Sequence, residues 1–145
     1  MTIESFESDW EKQWFTYRPQ EWGRKTHKIY DEQWKAPDGA KLAIEVCSEK
    51  SNTSVIGIDQ YAVEVELKGG SEWQSIVLVP NDFKDAAGAV LTNWNGIREL
   101  RLVANDTLNK KVDGKNKSMK LGASWKGAKP KFRNLRWIVE QGKRI

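Results

Sequence analysis

Tyr61-Ala-Val-Glu-Val-Glu-Leu67 alternates along its length, with Tyr61, Val63, Val65 and Leu67 on one side and Glu64 and Glu66 on the other. A period of two sets one row of side chains against a core and the other in water, as in a half-buried antiparallel strand. The pattern recurs upstream, where Leu42, Ile44 and Val46 interleave with Lys41 and Glu45, and downstream, where Leu100 and Leu102 interleave with Glu99 and Arg101. Ile76-Val-Leu-Val79 is apolar without interruption, as a more central strand requires. Residues 3–7, 26–31, 53–58, 118–123 and 131–139 are further candidate strands. Only 84–95, Lys-Asp-Ala-Ala-Gly-Ala-Val-Leu-Thr-Asn-Trp-Asn, could form a short helix, and Gly88 weakens it.

Turn signals separate these runs: Pro37-Asp-Gly39, Gly69-Gly70, Pro80-Asn81, Asn95-Gly96, Asp113-Gly114 and Lys129-Pro130. Short strands at this spacing predict an all-β, two-sheet antiparallel sandwich. A chain of 145 residues fits one domain over residues 1–145 and buries roughly 70% of its unfolded surface without disulfide or metal staples. Cys47 is the only cysteine and lies in a strand pattern, where it reads as a small hydrophobe. No run of about 18 apolar residues offers a membrane-spanning helix. The first residues carry no signal-peptide pattern, and the expectation is a module of a longer secreted protein, hence extracellular.

Charge divides the chain. Residues 1–100 hold 11 Lys and Arg against 17 Asp and Glu, whereas residues 101–145 hold 13 against 3. The basic residues Lys110, Lys111, Lys115, Lys117, Lys120, Lys126, Lys129, Lys131, Arg133 and Arg136 fall in a Gly/Asn/Asp-punctuated stretch and a strand. Either they form a solvated lysine-rich loop or they share a surface that attracts polyanions.

Trp73-Gln-Ser-Ile-Val-Leu-Val-Pro-Asn-Asp-Phe83, followed by Leu91-Thr-Asn-Trp-Asn-Gly-Ile-Arg-Glu-Leu-Arg-Leu102, resembles the central block of galactose-binding-like β-sandwiches. That group includes modules attached to polysaccharide hydrolases and the complex I intermediate-associated proteins. Ile3-Glu-Ser-Phe-Glu7 is similar to the family's opening strand and Phe132-Arg-Asn-Leu-Arg-Trp-Ile138 to its closing strand, with Asn134-Leu135 where an acidic step is usual. The resemblance implies a jelly roll. It also implies one structural calcium ion where the first and last strands meet, for which Glu7, Asp9 and Asn134 are the candidate oxygen ligands.

Eight tryptophans exceed what one small core needs. Trp73 and Trp94 match positions that the resemblance implies pack under strands or loops, and Trp137 lies inside the last strand, so core or inter-sheet packing is expected for all three. Trp10 and Trp14, four residues apart, either stack on one helical turn or lie along a loop. Trp22, Trp34 and Trp125 sit among polar and turn-forming neighbours, where an indole is a candidate stacking platform. Since a pyranose has an apolar C–H face and a rim of hydroxyls, the expected ligand is a polysaccharide or oligosaccharide. Arg24, Tyr30, Asp59 and Gln60 complete the candidate set of planar and aromatic groups, with Asp31, Glu32, Gln33 and Asn105 as further neighbours.

Catalysis is not expected. His27 is the sole histidine, and no nucleophile elbow, phosphate-binding glycine loop or zinc-type spacing occurs. The function expected is a non-catalytic, monomeric carbohydrate-binding module that brings a covalently linked glycoside hydrolase or related enzyme to its substrate. Two other readings stay open: a binder of acidic or sulfated glycans or single-stranded nucleic acid through the basic third, and a protein-assembly domain whose tryptophans form an interface.

Overall fold

The computed structural model describes residues 35–139 throughout and, ahead of them, the backbone of residues 2–4, 16–18, 23–26 and 28–30, with the side chains of Ile29 and Tyr30. Eleven strands are described: β1 (Thr2–Glu4), β2 (Thr16–Arg18), β3 (Gly23–Thr26), β4 (Lys41–Cys47), β5 (Asn52–Ile58), β6 (Tyr61–Leu67), β7 (Trp73–Leu78), β8 (Leu100–Val103), β9 (Asn105–Val112), β10 (Lys115–Gly122) and β11 (Lys131–Ile138). They form a four-stranded sheet in the order β1-β11-β4-β7, a five-stranded sheet in the order β2-β3-β8-β5-β6, and the β9-β10 hairpin. Every strand pairing is antiparallel. Helical structure among the described residues is confined to 3₁₀ turns at Lys28–Tyr30 and Pro80–Asp82. No described helix is long and apolar enough to cross a membrane.

The period-two faces of the sequence become the core. Leu42, Ile44 and Val46 of β4, Ile76 and Leu78 of β7 and Phe132, Leu135 and Trp137 of β11 meet Ile56, Ile58, Val65, Leu67, Leu100 and Leu102 of the other sheet in one cluster. Burying each such side chain contributes about 1.5–3 kcal/mol. A second, smaller cluster lies on the opposite face of the five-stranded sheet, where Leu108 of β9 covers Val55 and Ala62 with Val103, Met119 and Leu121 packed around them. Hence β5 is buried on both faces, apart from Thr53.

Within β11 the alternation would fail without an extra residue, because Phe132, Leu135 and Trp137 all need the core side. A register break between Arg133 and Arg136 resolves this, with Asn134 in the left-handed region at φ 58°. Asparagine tolerates that conformation better than most residues. Arg133, Asn134 and Arg136 are thereby all brought to Glu45 on the outer face: Arg133 Nε donates to Oε1 at 2.6 Å, Asn134 Nδ2 donates to Oε2 at 3.0 Å, and Arg136 Nη1 lies 4.0 Å from Oε2. The Asn134 and Arg133 hydrogen bonds hold the Glu45 carboxyl below its ordinary pKa.

Three expectations change. Residues 84–95 are not helical: Asp85 Oδ1 accepts from Ala87 N at 2.9 Å and Ala89 N at 3.0 Å, which fixes a turn with Gly88 at φ 86°. The candidate strand 26–31 is instead the end of β3 followed by a 3₁₀ turn. The lysine-rich stretch is an ordered hairpin turning at Asp113-Gly114, and it distributes its lysines over both faces.

Candidate functional site

Ile29 anchors the turn after β3 by burying its side chain in the main core, and this leaves its neighbour Tyr30 56% exposed. Arg98 lies over the Tyr30 ring, its guanidinium carbon 4.9 Å from the centroid. What positions Arg98 is Asp59. That residue stands at the β5–β6 turn in the left-handed region, φ 53°, and its Oδ1 accepts from both Arg98 N and Glu99 N at 2.9 Å. Asp59 N in turn donates to Glu99 O at 3.1 Å. Asp59 therefore braces the segment that carries Arg98, and the exposed Gln60 lies beside it in the same turn.

Tyr30 opens onto a depression of about 420 Å³ that also takes in Lys35, Asp38, Asn95, Trp94 and Trp137. Trp94 and Trp137 are buried, 5.2 Å apart between ring centroids, and Trp94 Nε1 donates to Ala40 O at 2.8 Å. Lys35, Asp38 and Asn95 are exposed, so the rim carries a cation, an acceptor-only carboxylate and a donor–acceptor amide around an aromatic face. A second depression of about 270 Å³ shares Ala36, Asp38, Trp94 and Asn95 with the first and continues to Lys41, Val79 and Thr92.

The structure links Tyr30 to Asp59 only through Arg98, and it places Asp59 and Gln60 on a separate depression with Glu99, Arg101 and Asp106. It does not bring Trp125 to them. Trp125 is half-buried against the main core, 6.5 Å from Phe132 between ring centroids, and its indole nitrogen is enclosed without a hydrogen-bond partner among the described residues. Asn52 fixes this loop, with Oδ1 accepting from Lys126 N at 2.7 Å and Nδ2 donating to Lys126 O at 3.1 Å. Trp137 pairs with Leu42 and Phe132 with Val46, so the two aromatic regions are separated along β4 by about 13 Å at 3.3 Å per residue.

Arg24 pairs with Leu102 in the β3–β8 register. Trp10, Trp14, Trp22, Trp34, His27, Asp31, Glu32, Gln33, Glu7 and Asp9 lie outside the described residues or side chains. Asn134 serves the β11 bulge and Glu45, and no group of three or more His, Cys, Asp or Glu among the described residues could hold a metal ion. Glu7 and Asp9, two of the three candidate calcium ligands that the resemblance implies, lie outside the described residues.

Sequence reasoning missed Arg98, Lys35, Asp38 and Asn95. The Arg98 signal was present in its place between Ile97 and the Leu100 strand, but its meeting with Tyr30 depends on the Asp59 brace across 39 positions. Trp73 corrects an expectation: it opens β7 in the outward phase and is 39% exposed, with the Arg133 guanidinium carbon 3.8 Å from its ring centroid. No family model matches the chain, and no curated protein or solved structure is significantly similar to it.

Proposed function

We propose that this chain is a non-catalytic glycan-binding domain built as a two-sheet jelly roll, in which the Tyr30 depression receives a sugar ring. The observation that supports the reading is an exposed Tyr30 ring at the mouth of a 420 Å³ depression with Lys35, Asp38 and Asn95 on its rim. A pyranose offers an apolar face to the phenol and hydroxyls to groups that both donate and accept. Continuation into the neighbouring depression suits a polymer segment better than a free monosaccharide. One or two ring contacts worth roughly 0.5–1.5 kcal/mol each beyond area burial, set against ordering a flexible chain, give affinities of about micromolar to millimolar. Weak binding of that order serves targeting: tethered to an enzyme, such a domain raises local concentration at the polymer surface.

Affinity electrophoresis through gels containing neutral polysaccharides tests this. Retardation of the wild-type chain by at least one polymer, reduced in Tyr30→Ala and Asp38→Ala while both stay folded, supports the site. Equal mobility of wild type with and without every polymer tested removes it.

A further inference from the structure

The face of the four-stranded sheet turned away from the core carries a different chemistry from the Tyr30 depression. By alternation and register, Trp73 and Ser75 of β7, Glu45 of β4, and Lys131, Arg133 and Arg136 of β11 all occupy it. Cross-strand rows run Trp73–Cys47–Lys131 and Ser75–Glu45–Arg133. Among the described residues, three cations, Lys131, Arg133 and Arg136, thus stand with one carboxylate, and Glu45 is already satisfied by Arg133 and Asn134. The Arg133 bond to Glu45 uses Nε, which leaves both terminal amino groups of a 42% exposed side chain outside that contact.

An exposed indole beside surplus positive charge fits a ring that bears an anion. From β7 to β11 the face spans two interstrand spacings, about 10 Å, room for a pyranose against the part of Trp73 that Arg133 does not cover, with its charged substituent at Arg133 and Lys131. Guanidinium pairs with carboxylate or sulfate through two parallel hydrogen bonds, and lysine adds an adjustable point charge. We infer that the outer face of β7, β4 and β11 is a second glycan site, separate from the Tyr30 depression and selective for sugars carrying a carboxylate or sulfate. This rests on the glycan-binding reading for the sugar, whereas charge complementarity supplies the selectivity.

Two observations make the face more than a solvated surface. Trp73 spends a large apolar ring outside the core although β7 has inward positions at 74, 76 and 78. The β11 bulge turns three polar side chains, Arg133, Asn134 and Arg136, onto one carboxylate and so fixes Arg133 in place over the indole. A preorganised guanidinium loses less freedom on binding than a mobile lysine does.

The test is a titration of the full chain with four probes: polygalacturonate, heparin, a neutral β-glucan and single-stranded DNA. The variants are Trp73→Ala, Lys131→Gln and Tyr30→Ala, each checked for native circular dichroism; Lys131 is exposed on its strand and keeps the test valid if Trp73→Ala is unfolded. The expected result is binding of at least one acidic polysaccharide, weakened about tenfold by Trp73→Ala or Lys131→Gln, unaffected by Tyr30→Ala, and weaker at high salt. Polygalacturonate and heparin separate a carboxylate from a sulfate preference. Neutral glucan bound through Tyr30 with no acidic polymer bound overturns this inference alone. No binding to any polysaccharide overturns both readings. Single-stranded DNA bound more tightly than either acidic polymer, with the same sensitivity to Lys131→Gln, makes the face a nucleic-acid surface and overturns the inference.

Discussion

Lys110 donates from Nζ to Asp85 Oδ2 at 2.6 Å, tying the β9–β10 hairpin to the turn that follows Phe83. Asp85 is 1% exposed, so its carboxylate is paid back entirely by this lysine and by the amides of Ala87 and Ala89. Asp85→Ala strands the Ala87 and Ala89 donors and is expected to lower stability by about 2–3 kcal/mol. Lys110→Met leaves a buried carboxylate short of its cation and should cost about 1–3 kcal/mol, less than a fully buried pair because Lys110 is partly in water. Urea denaturation midpoints at constant slope measure both; a change under 0.5 kcal/mol in each would show that the hairpin is held by its other contacts, the Leu108, Met119 and Leu121 packing and the Glu64–Gly122 and Arg101–Asp106 bonds.

Acid should weaken the fold through the same group and through Glu45. The Lys110 hydrogen bond holds Asp85 below its ordinary pKa, and the Asn134 and Arg133 bonds do the same for Glu45. A carboxyl whose pKa is lower folded than unfolded contributes its full stability above the unfolded value, near about 4, and loses it as pH falls through the folded value. The stability gap between wild type and Asp85→Asn or Glu45→Gln should therefore be full at pH 7 and shrink below pH about 4. A gap independent of pH contradicts this. Lys110 is raised by Asp85, so its share is present at neutral pH and lost only as pH rises into the lysine range.

Gly122 closes β10 at φ 73°, and a Cβ there would strike the Ala104 carbonyl oxygen and the Val55 side chain. Backbone atoms cannot step aside as the end of a side chain can. Gly122→Ala is expected to cost at least about 2 kcal/mol through strain and overpacking, read as a drop in thermal midpoint. Gly114, also at positive φ but with open space around it, should cost less when changed to alanine.

Trp125 gives a prediction of the opposite kind. Its enclosed indole N–H has no partner among the described residues, and an unbonded buried donor is unfavourable. Trp125→Phe keeps most of the packing on Phe132 and removes that donor, so stability should change by less than about 1 kcal/mol and polysaccharide retardation should not change. Loss of binding in this variant would return Trp125 to the ligand site.

Strand periodicity carried most of the fold. The alternation at 42–46 and 61–67 became β4 and β6, because half-buried strands must write their burial into sequence. The apolar run at 76–79, expected of a more central strand, fell largely in the edge strand β7 with Val77 and Val79 exposed. β9 escaped notice because only Leu108 and Val112 mark its inward face while Asp106 and Lys110 share it, the lysine satisfied by an aspartate in another loop. Trp73 was misplaced because a sequence shows that an indole lies in a strand but not which phase faces the core; Ile76 and Leu78 set that phase. Tyr30 was legible as an aromatic among polar neighbours. Its companions Arg98, Asp38 and Asn95 were not, since only long-range contacts such as Asp59 to Arg98 gather them.

The most direct measurement is isothermal titration of the neutral polysaccharide that best retards the wild type against wild type, Tyr30→Ala and Tyr30→Trp. Loss of roughly tenfold affinity in Tyr30→Ala, consistent with one stacked ring, together with retention or gain in Tyr30→Trp, is the expected result. Affinity in a folded Tyr30→Ala equal to that of wild type contradicts a sugar ring at the Tyr30 depression.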